Sequence, residues 1–121
     1  MKKGIYLALL LVGTILSAFA YSYETTVPLP GKSIAGEKIQ KESLFTAYAF
    51  AHRFAAPDCT SFAIVDTNVS KEKVDNKWQE VWTIQACSRT AYVPINFEIK
   101  PDEDVYAIDP MGVRVSEKTN N

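Results

Sequence analysis

Trp78-Gln79-Glu80-Val81-Trp82-Thr83-Ile84-Gln85-Ala86-Cys87 alternates with a period of two. Trp78, Trp82, Ile84 and Ala86 fall on one face, interrupted by Glu80. Val81, Thr83, Gln85 and Cys87 fall on the other. Such alternation marks a half-buried β-strand, whose successive side chains point to opposite sides. This is the longest strand candidate in the chain, and it predicts a sheet with one apolar side. Glu80 within that side implies a face that is not wholly buried.

The strands on either side follow the same period. Upstream, Phe62 and Ile64 share a face that Asp66 continues, with Ala63, Val65 and Thr67 opposite. Ser70 to Lys77 reads as a charged connection. Downstream, Ser88-Arg89-Thr90-Ala91 turns the chain, and Tyr92 to Ile99 alternates with Val93, Ile95, Phe97 and Ile99 on one side. Pro94 has no N–H for a ladder, which predicts an edge or a bulge there. Lys100 to Asp104 is a turn on its proline and acidic composition, and Val105 to Ile108 is a short last strand.

Lys38 to Ala56 is the one helix. Leu44, Ala47, Tyr48, Ala51, Phe54 and Ala55 recur at the spacing that lines one helical face. Pro57 ends it, because proline disfavours helical geometry in the residue before it. Phe45, Ala49 and Phe50 lie off that stripe, so the helix is apolar on more than one side. One helix followed by closely spaced strands predicts an α+β fold in two layers, with an N-terminal helix packed on an antiparallel sheet of about four strands.

The first twenty residues bear on location. Lys2-Lys3 is a positive head, Ile5 to Leu16 an apolar run of 12 residues, and Ala18-Phe19-Ala20 an Ala-x-Ala site. These are the three parts of a secretory signal peptide, with a cut predicted after Ala20. A membrane anchor wants nearer to 20 apolar residues. The expected organisation is a signal peptide over 1–20, an extended leader over 21–37, one domain over 38–110 and a polar tail over 111–121. Removing the signal leaves 11 basic and 14 acidic residues, a net charge of −3. No basic stripe is present, which disfavours nucleic acid, and no membrane contact is expected after cleavage.

Cys59 and Cys87 are the only cysteines, 28 positions apart. In a chain bound for an oxidising compartment, periplasmic or extracellular, such a pair reads as one structural disulfide. A loop of that size is worth about 3.5 kcal/mol in the chain-entropy model. Redox motifs place their cysteines two residues apart, and metal sites need more ligands than two thiols and one histidine. With Cys87 on the face opposite Trp82, either a bulge or a short non-sheet end is expected at Cys87.

Catalytic signals are sparse. His52 is the only histidine, and no spacing gives it a nucleophile and an orienting partner. Asp102, Glu103, Asp104 and Asp109 supply oxygen ligands but lack the spacing of a calcium loop. No cofactor or metal is expected, and the chain reads as a non-enzyme. Trp78, Glu80, Trp82 and Tyr92 are the candidate partner surface, since large rings dominate many binding hot spots. In a domain of this size the rings are also the expected core, and one tryptophan is assigned there with the other left open.

Trp78-x-Glu80-x-Trp82, then Cys87, Val93-Pro94-Ile95-x-Phe97 and Pro101-Asp102, resembles a pattern in small secreted bacterial proteins of uncharacterised function. The resemblance covers about 25 residues and implies an exported single-disulfide domain, with no catalytic residues to carry over. The order of a helix followed by a sheet is similar to cystatin-like inhibitors in outline only, as no Gln-x-Val-x-Gly loop is present. The functional expectation is an exported domain that binds a macromolecular partner or supports an envelope assembly. The alternative is an inhibitor or immunity-type protein acting on an envelope hydrolase.

Overall fold

The computed structural model describes residues 21–117. The signal-peptide reading of 1–20 and the last four residues of the expected tail lie outside the described residues. Strand β1 (Ser22–Tyr23) precedes helix α1 (Glu37–Phe54). Strands β2 (Ser61–Val74), β3 (Lys77–Ala86), β4 (Arg89–Ile99) and β5 (Asp104–Ile108) follow. A 3₁₀ turn at Pro110–Gly112 then leads to β6 (Arg114–Glu117).

The α+β class holds, and three details of the expectation need correction. The sheet has six strands rather than about four. It is mixed, because β1 runs parallel to β2 while the other pairs are antiparallel. The helix is not the first element, since β1 comes before it. Both short strands escape period-two reading because two to four residues carry too little alternation to register. The leader over 21–37 is part of the packed structure: Leu29 and Ala35 are buried with the core. The expected tail contributes β6, which pairs with Arg89–Tyr92 of β4.

Two hairpin turns explain why the long strands run further than the sequence suggested. Val74 faces Lys77 across a two-residue turn in which Asp75 and Asn76 have φ of 52° and 62°. Both central residues of that turn need positive φ, which Asp and Asn tolerate better than other side chains. The charged stretch from Ser70 is therefore strand, not connection. The β3–β4 turn is Cys87-Ser88, with Cys87 at φ 57° and Ala86 opposite Arg89. Cys87 thus stands just past the strand, the non-sheet end expected for it.

Pro94 is not at an edge. β4 pairs with β3 along one side, and on its other side Arg89–Tyr92 face β6 while Ile95–Ile99 face β5. Pro94 occupies the gap where that side changes partner. Its carbonyl accepts from Asp109 N–H at 3.2 Å, and the 3₁₀ turn covers the gap. No ladder bond is forfeited by the missing proline N–H.

The helix packs across β3, β4 and β5. Leu44, Ala47, Tyr48 and Ala51 face a sheet surface made of Phe62, Ile64, Trp82, Ile84, Ala86, Ala91, Val93, Ile95 and Phe97. Phe97 lies between the indoles, 5.2 Å from Trp78 and 5.9 Å from Trp82 by ring centroid. A register shift between Ile64 and Asp66 corrects the β2 reading: Thr67, not Asp66, takes the inward place after Ile64. The bulge inserts one residue and so exchanges the faces beyond it.

Cys59 and Cys87 are bonded, with Cα atoms 5.8 Å apart. The bridge ties the segment after the helix to the β3–β4 turn. Beside it Arg89 joins Asp58 at 3.1 Å and Glu117 at 3.4 Å. Among the described residues no helix is long and apolar enough to cross a membrane. Changing either cysteine to serine is expected to lower stability by about 2–5 kcal/mol, read as a fall in melting temperature. Thiol titration of the denatured, unreduced protein should find no free thiol, and two would remove the bridge from the account.

Candidate functional site

Four polar side chains are buried among the described residues: Gln40, Ser43, Thr67 and Glu80. Ser43 is satisfied within its own helix, donating to the Ile39 carbonyl at 2.6 Å. The other three come from α1, β2 and β3, and all turn toward one segment, Leu29–Ala35. Buried polar groups must be hydrogen-bonded or they cost stability, so the direction in which these three are satisfied is informative.

Glu80 is fully buried. Its Oε1 accepts from Trp82 Nε1–H at 2.9 Å, and its Oε2 accepts from Trp78 Nε1–H at 2.8 Å. Oε2 also accepts from the backbone N–H of Ile34 at 3.1 Å. The spacing is the cause. Residues two apart on a strand share a face, so the indoles on either side of Glu80 can both aim their single donor at the carboxylate between them. All three partners donate, which suits the acceptor-only ionised carboxylate.

Gln40 closes the loop's two ends. Its Oε1 accepts from Leu29 N–H at 2.8 Å, and its Nε2 donates to the Ala35 carbonyl at 2.9 Å. Thr67 holds the middle: its hydroxyl donates to the Pro30 carbonyl at 2.7 Å and accepts from Ser33 N–H at 3.0 Å. The Thr67 carbonyl takes Lys32 N–H at 2.7 Å. Gly31 lies flat against this strand with φ 99°, and a Cβ there would fall 2.4 Å from Thr67 N. Glycine is required twice over, by its φ and by the close approach. Just upstream, the Tyr48 hydroxyl donates to the Glu24 carbonyl and accepts from Ile64 N–H at 3.0 Å.

The result is a loop whose backbone is committed inward and whose remaining side chains face out. Leu29 and Ala35 are buried, while Pro30, Lys32 and Ile34 are exposed, Ile34 by 51 %. Of the residues expected to form a partner surface, Trp78, Glu80 and Trp82 are buried and therefore form no surface. The inference that Glu80 leaves its face partly open is overturned, because two indole donors and a backbone amide replace its water. Tyr92 is 37 % exposed on the opposite side of the sheet, apart from the other three.

Other marked residues serve packing. His52 Nε2 is 2.9 Å from the Pro57 carbonyl, and its ring stands edge-on to Tyr21 and Phe62. Asp109 caps the 3₁₀ turn by accepting from Met111 N–H. Phe45 is 53 % exposed, and Phe54, which its spacing places on the apolar stripe, is instead 47 % exposed with Arg53 over its ring. Comparison with protein-family models, with curated proteins and with solved structures finds no match.

Glu80→Gln replaces one acceptor oxygen with an NH₂ group that meets an N–H donor. A loss of about 1–3 kcal/mol is expected, together with faster hydrogen exchange at the Ile34 and Ser33 amides. Exchange unchanged at those amides would remove Glu80 from control of the loop. Tyr48 gives a pH signature. Burial raises its phenol above the ordinary value, with the Glu24 charge adding to the rise and the Ile64 amide opposing it. The unfolded chain then ionises first, so the neutral phenol's contribution is intact below pH 10 and is lost progressively as pH rises beyond it. In denaturant titrations, Tyr48→Phe should be less stable at pH 7 and show a shallower alkaline decline.

Proposed function

We propose that this chain is an exported, non-enzymatic domain that binds a macromolecular partner, a protein or envelope component, through the Pro30–Ile34 loop. The single observation that carries this reading is the use of three buried polar side chains, one of them a carboxylate, to fix one loop. Taking a carboxylate out of water carries a desolvation penalty that its hydrogen bonds must first offset. A carboxylate kept in the core thus needs a reason beyond stability, and the geometry of Ile34 supplies one. A loop ordered in advance loses little conformational entropy on binding. Its outward groups, a β-branched apolar side chain beside a lysine, suit an apolar socket near an acidic group on the partner.

An oxidised cysteine pair and the absence, among the described residues, of a membrane-spanning helix fit a periplasmic or extracellular site of action. A cut after Ala20 would leave Tyr21 as the first residue, immediately before β1.

The rigidity of the loop also favours a second reading, an inhibitor or immunity-type protein against an envelope hydrolase. The amides of Lys32, Ser33 and Ile34 are all bonded within the chain. Such an inhibitor would engage its target through side chains rather than by laying a substrate-like strand into a peptidase cleft.

Capture from envelope extract with the wild type, Ile34→Asp and Lys32→Glu tests the main reading. Both positions are exposed, so folding stability should stay within about 0.5 kcal/mol of the wild type. A specific partner should be recovered by the wild type, bound roughly tenfold more weakly by Ile34→Asp, about 1.4 kcal/mol, and retained by the helix variant Phe45→Asp. Equal capture by all four proteins would move the surface elsewhere. Stoichiometric loss of activity in a lysozyme and peptidase panel would favour the inhibitor instead.

A further inference from the structure

The outer face of the sheet, away from the helix, is hollowed where the β2–β3 hairpin meets β4 and β5. The cavity measures about 490 Å³, within the range of roughly 300–1,000 Å³ typical of small-ligand sites. Its shape follows from β2, whose register slips between Val69 and Lys71 and again between Lys71 and Val74. Such bulges bend a strand and tighten its twist.

Polar side chains in the hollow are oriented. The Ser70 hydroxyl donates to Gln79 Oε1 at 2.9 Å, and Gln79 Nε2 donates to Asn96 Oδ1 at 3.1 Å. This relay engages both ends of Gln79 and the oxygen of Asn96, leaving Asn96 Nδ2 as a donor with no partner among the described residues. Val74, Val105 and Ala107 add an apolar lining.

Charge at the rim is of both signs and is not internally neutralised. Lys71 and Lys77 stand with Glu72 and Glu98 around the hollow. Lys77 lies directly opposite Glu98 in the β3–β4 register, yet among the described residues the ion pairs within 4 Å are those of Arg89 alone. Two open ammonium groups and two open carboxylates around an apolar, amide-floored hollow are complementary to a ligand with both charges and an apolar side chain.

We propose that this hollow binds a small zwitterion of that kind, a free apolar amino acid or a short unblocked peptide. Lys71 and Lys77 hold its carboxylate, Glu98 and Glu72 its ammonium group, and Asn96 Nδ2 donates to a carbonyl or carboxylate oxygen. The site is separate from the Pro30–Ile34 loop and does not depend on the function proposed for it.

The test is titration of the ¹⁵N-labelled protein with leucine, leucyl-leucine, N-acetyl-leucine and leucinamide, following the side-chain amide signals of Gln79 and Asn96. Leucine or leucyl-leucine should shift both signals saturably at millimolar concentration or below, and whichever binds more tightly identifies the source. Removing the ammonium group with N-acetyl-leucine, or the carboxylate with leucinamide, should weaken binding at least tenfold. Lys77→Gln should abolish the preference for leucine over leucinamide, and Glu98→Gln the preference for leucine over N-acetyl-leucine. Both residues are at the rim, and unchanged amide spectra elsewhere establish that each variant is folded. No shift at 10 mM of either unblocked ligand would overturn the proposal, as would equal binding of the blocked and unblocked forms.

Discussion

A carboxylate with no water must find its hydrogen bonds in the chain, and Glu80 finds three. Much of the architecture follows from that requirement. The two indoles must stand on the same strand face as the carboxylate, which fixes Trp78 and Trp82 at two residues to either side. Their rings then fill the core on both sides of Phe97, so one arrangement serves polar satisfaction and apolar packing together. The third bond runs to Ile34, outside the strand, and couples the leader to the sheet. Removing the carboxylate would strand donors in a dry interior, where an unpaired polar group costs about 1–3 kcal/mol.

The loop that receives this bond needs the bulge in β2. With strict alternation Asp66 would point inward, bringing a second carboxylate into the interior with Glu80. The slip after Ile64 turns Asp66 outward, where it accepts from Asn68, and turns the short hydroxyl of Thr67 inward. Thr67 then presents one donor and one acceptor to a backbone that offers the Pro30 carbonyl and the Ser33 amide. A bulge thus converts a sequence with an ill-placed acid into one with a matched hydroxyl. Gln40 completes the fit from the helix, its two-ended amide holding the Leu29 N–H and the Ala35 carbonyl at once.

How much of this could be read from the residues alone differs by element. The helix and the three long strands were legible, because 3.6- and two-residue periods persist over enough positions to stand out. The disulfide was legible from count and spacing. The Asp75-Asn76 turn was present in the residue types but masked by the charges around it, since Ser70 to Lys77 looked like loop by polarity. Glu80 was misjudged for a physical reason: a charge on an apolar strand face ordinarily means solvent. Its hydrogen-bond donors come from indoles that count as apolar and from a backbone amide 46 positions away, which no local pattern encodes. The same blindness hid the loop. Gln40 lies one residue from the helix's charged first turn, and only the packed structure distinguishes it from Lys41.

The fixed points of the molecule divide between two ends of the sheet. At one end the Cys59–Cys87 bridge, the Arg89 ion pairs and the parallel strand β1 hold the exit of the helix, the start of β2 and the turn between β3 and β4. Toward the other, Glu80, Thr67 and Gln40 hold the loop, while the Asp75-Asn76 hairpin bends away to leave the outer face hollow. The first set restrains the chain covalently and at the surface. The second depends on exclusion of water, because hydrogen bonds to a carboxylate gain strength in a medium of low dielectric constant and weaken once solvent competes. The loop's order is therefore tied to the integrity of the core between helix and sheet, more than to the covalent bridge at the far end. A change that admits water beside Trp82 would free Ile34 even with the disulfide intact.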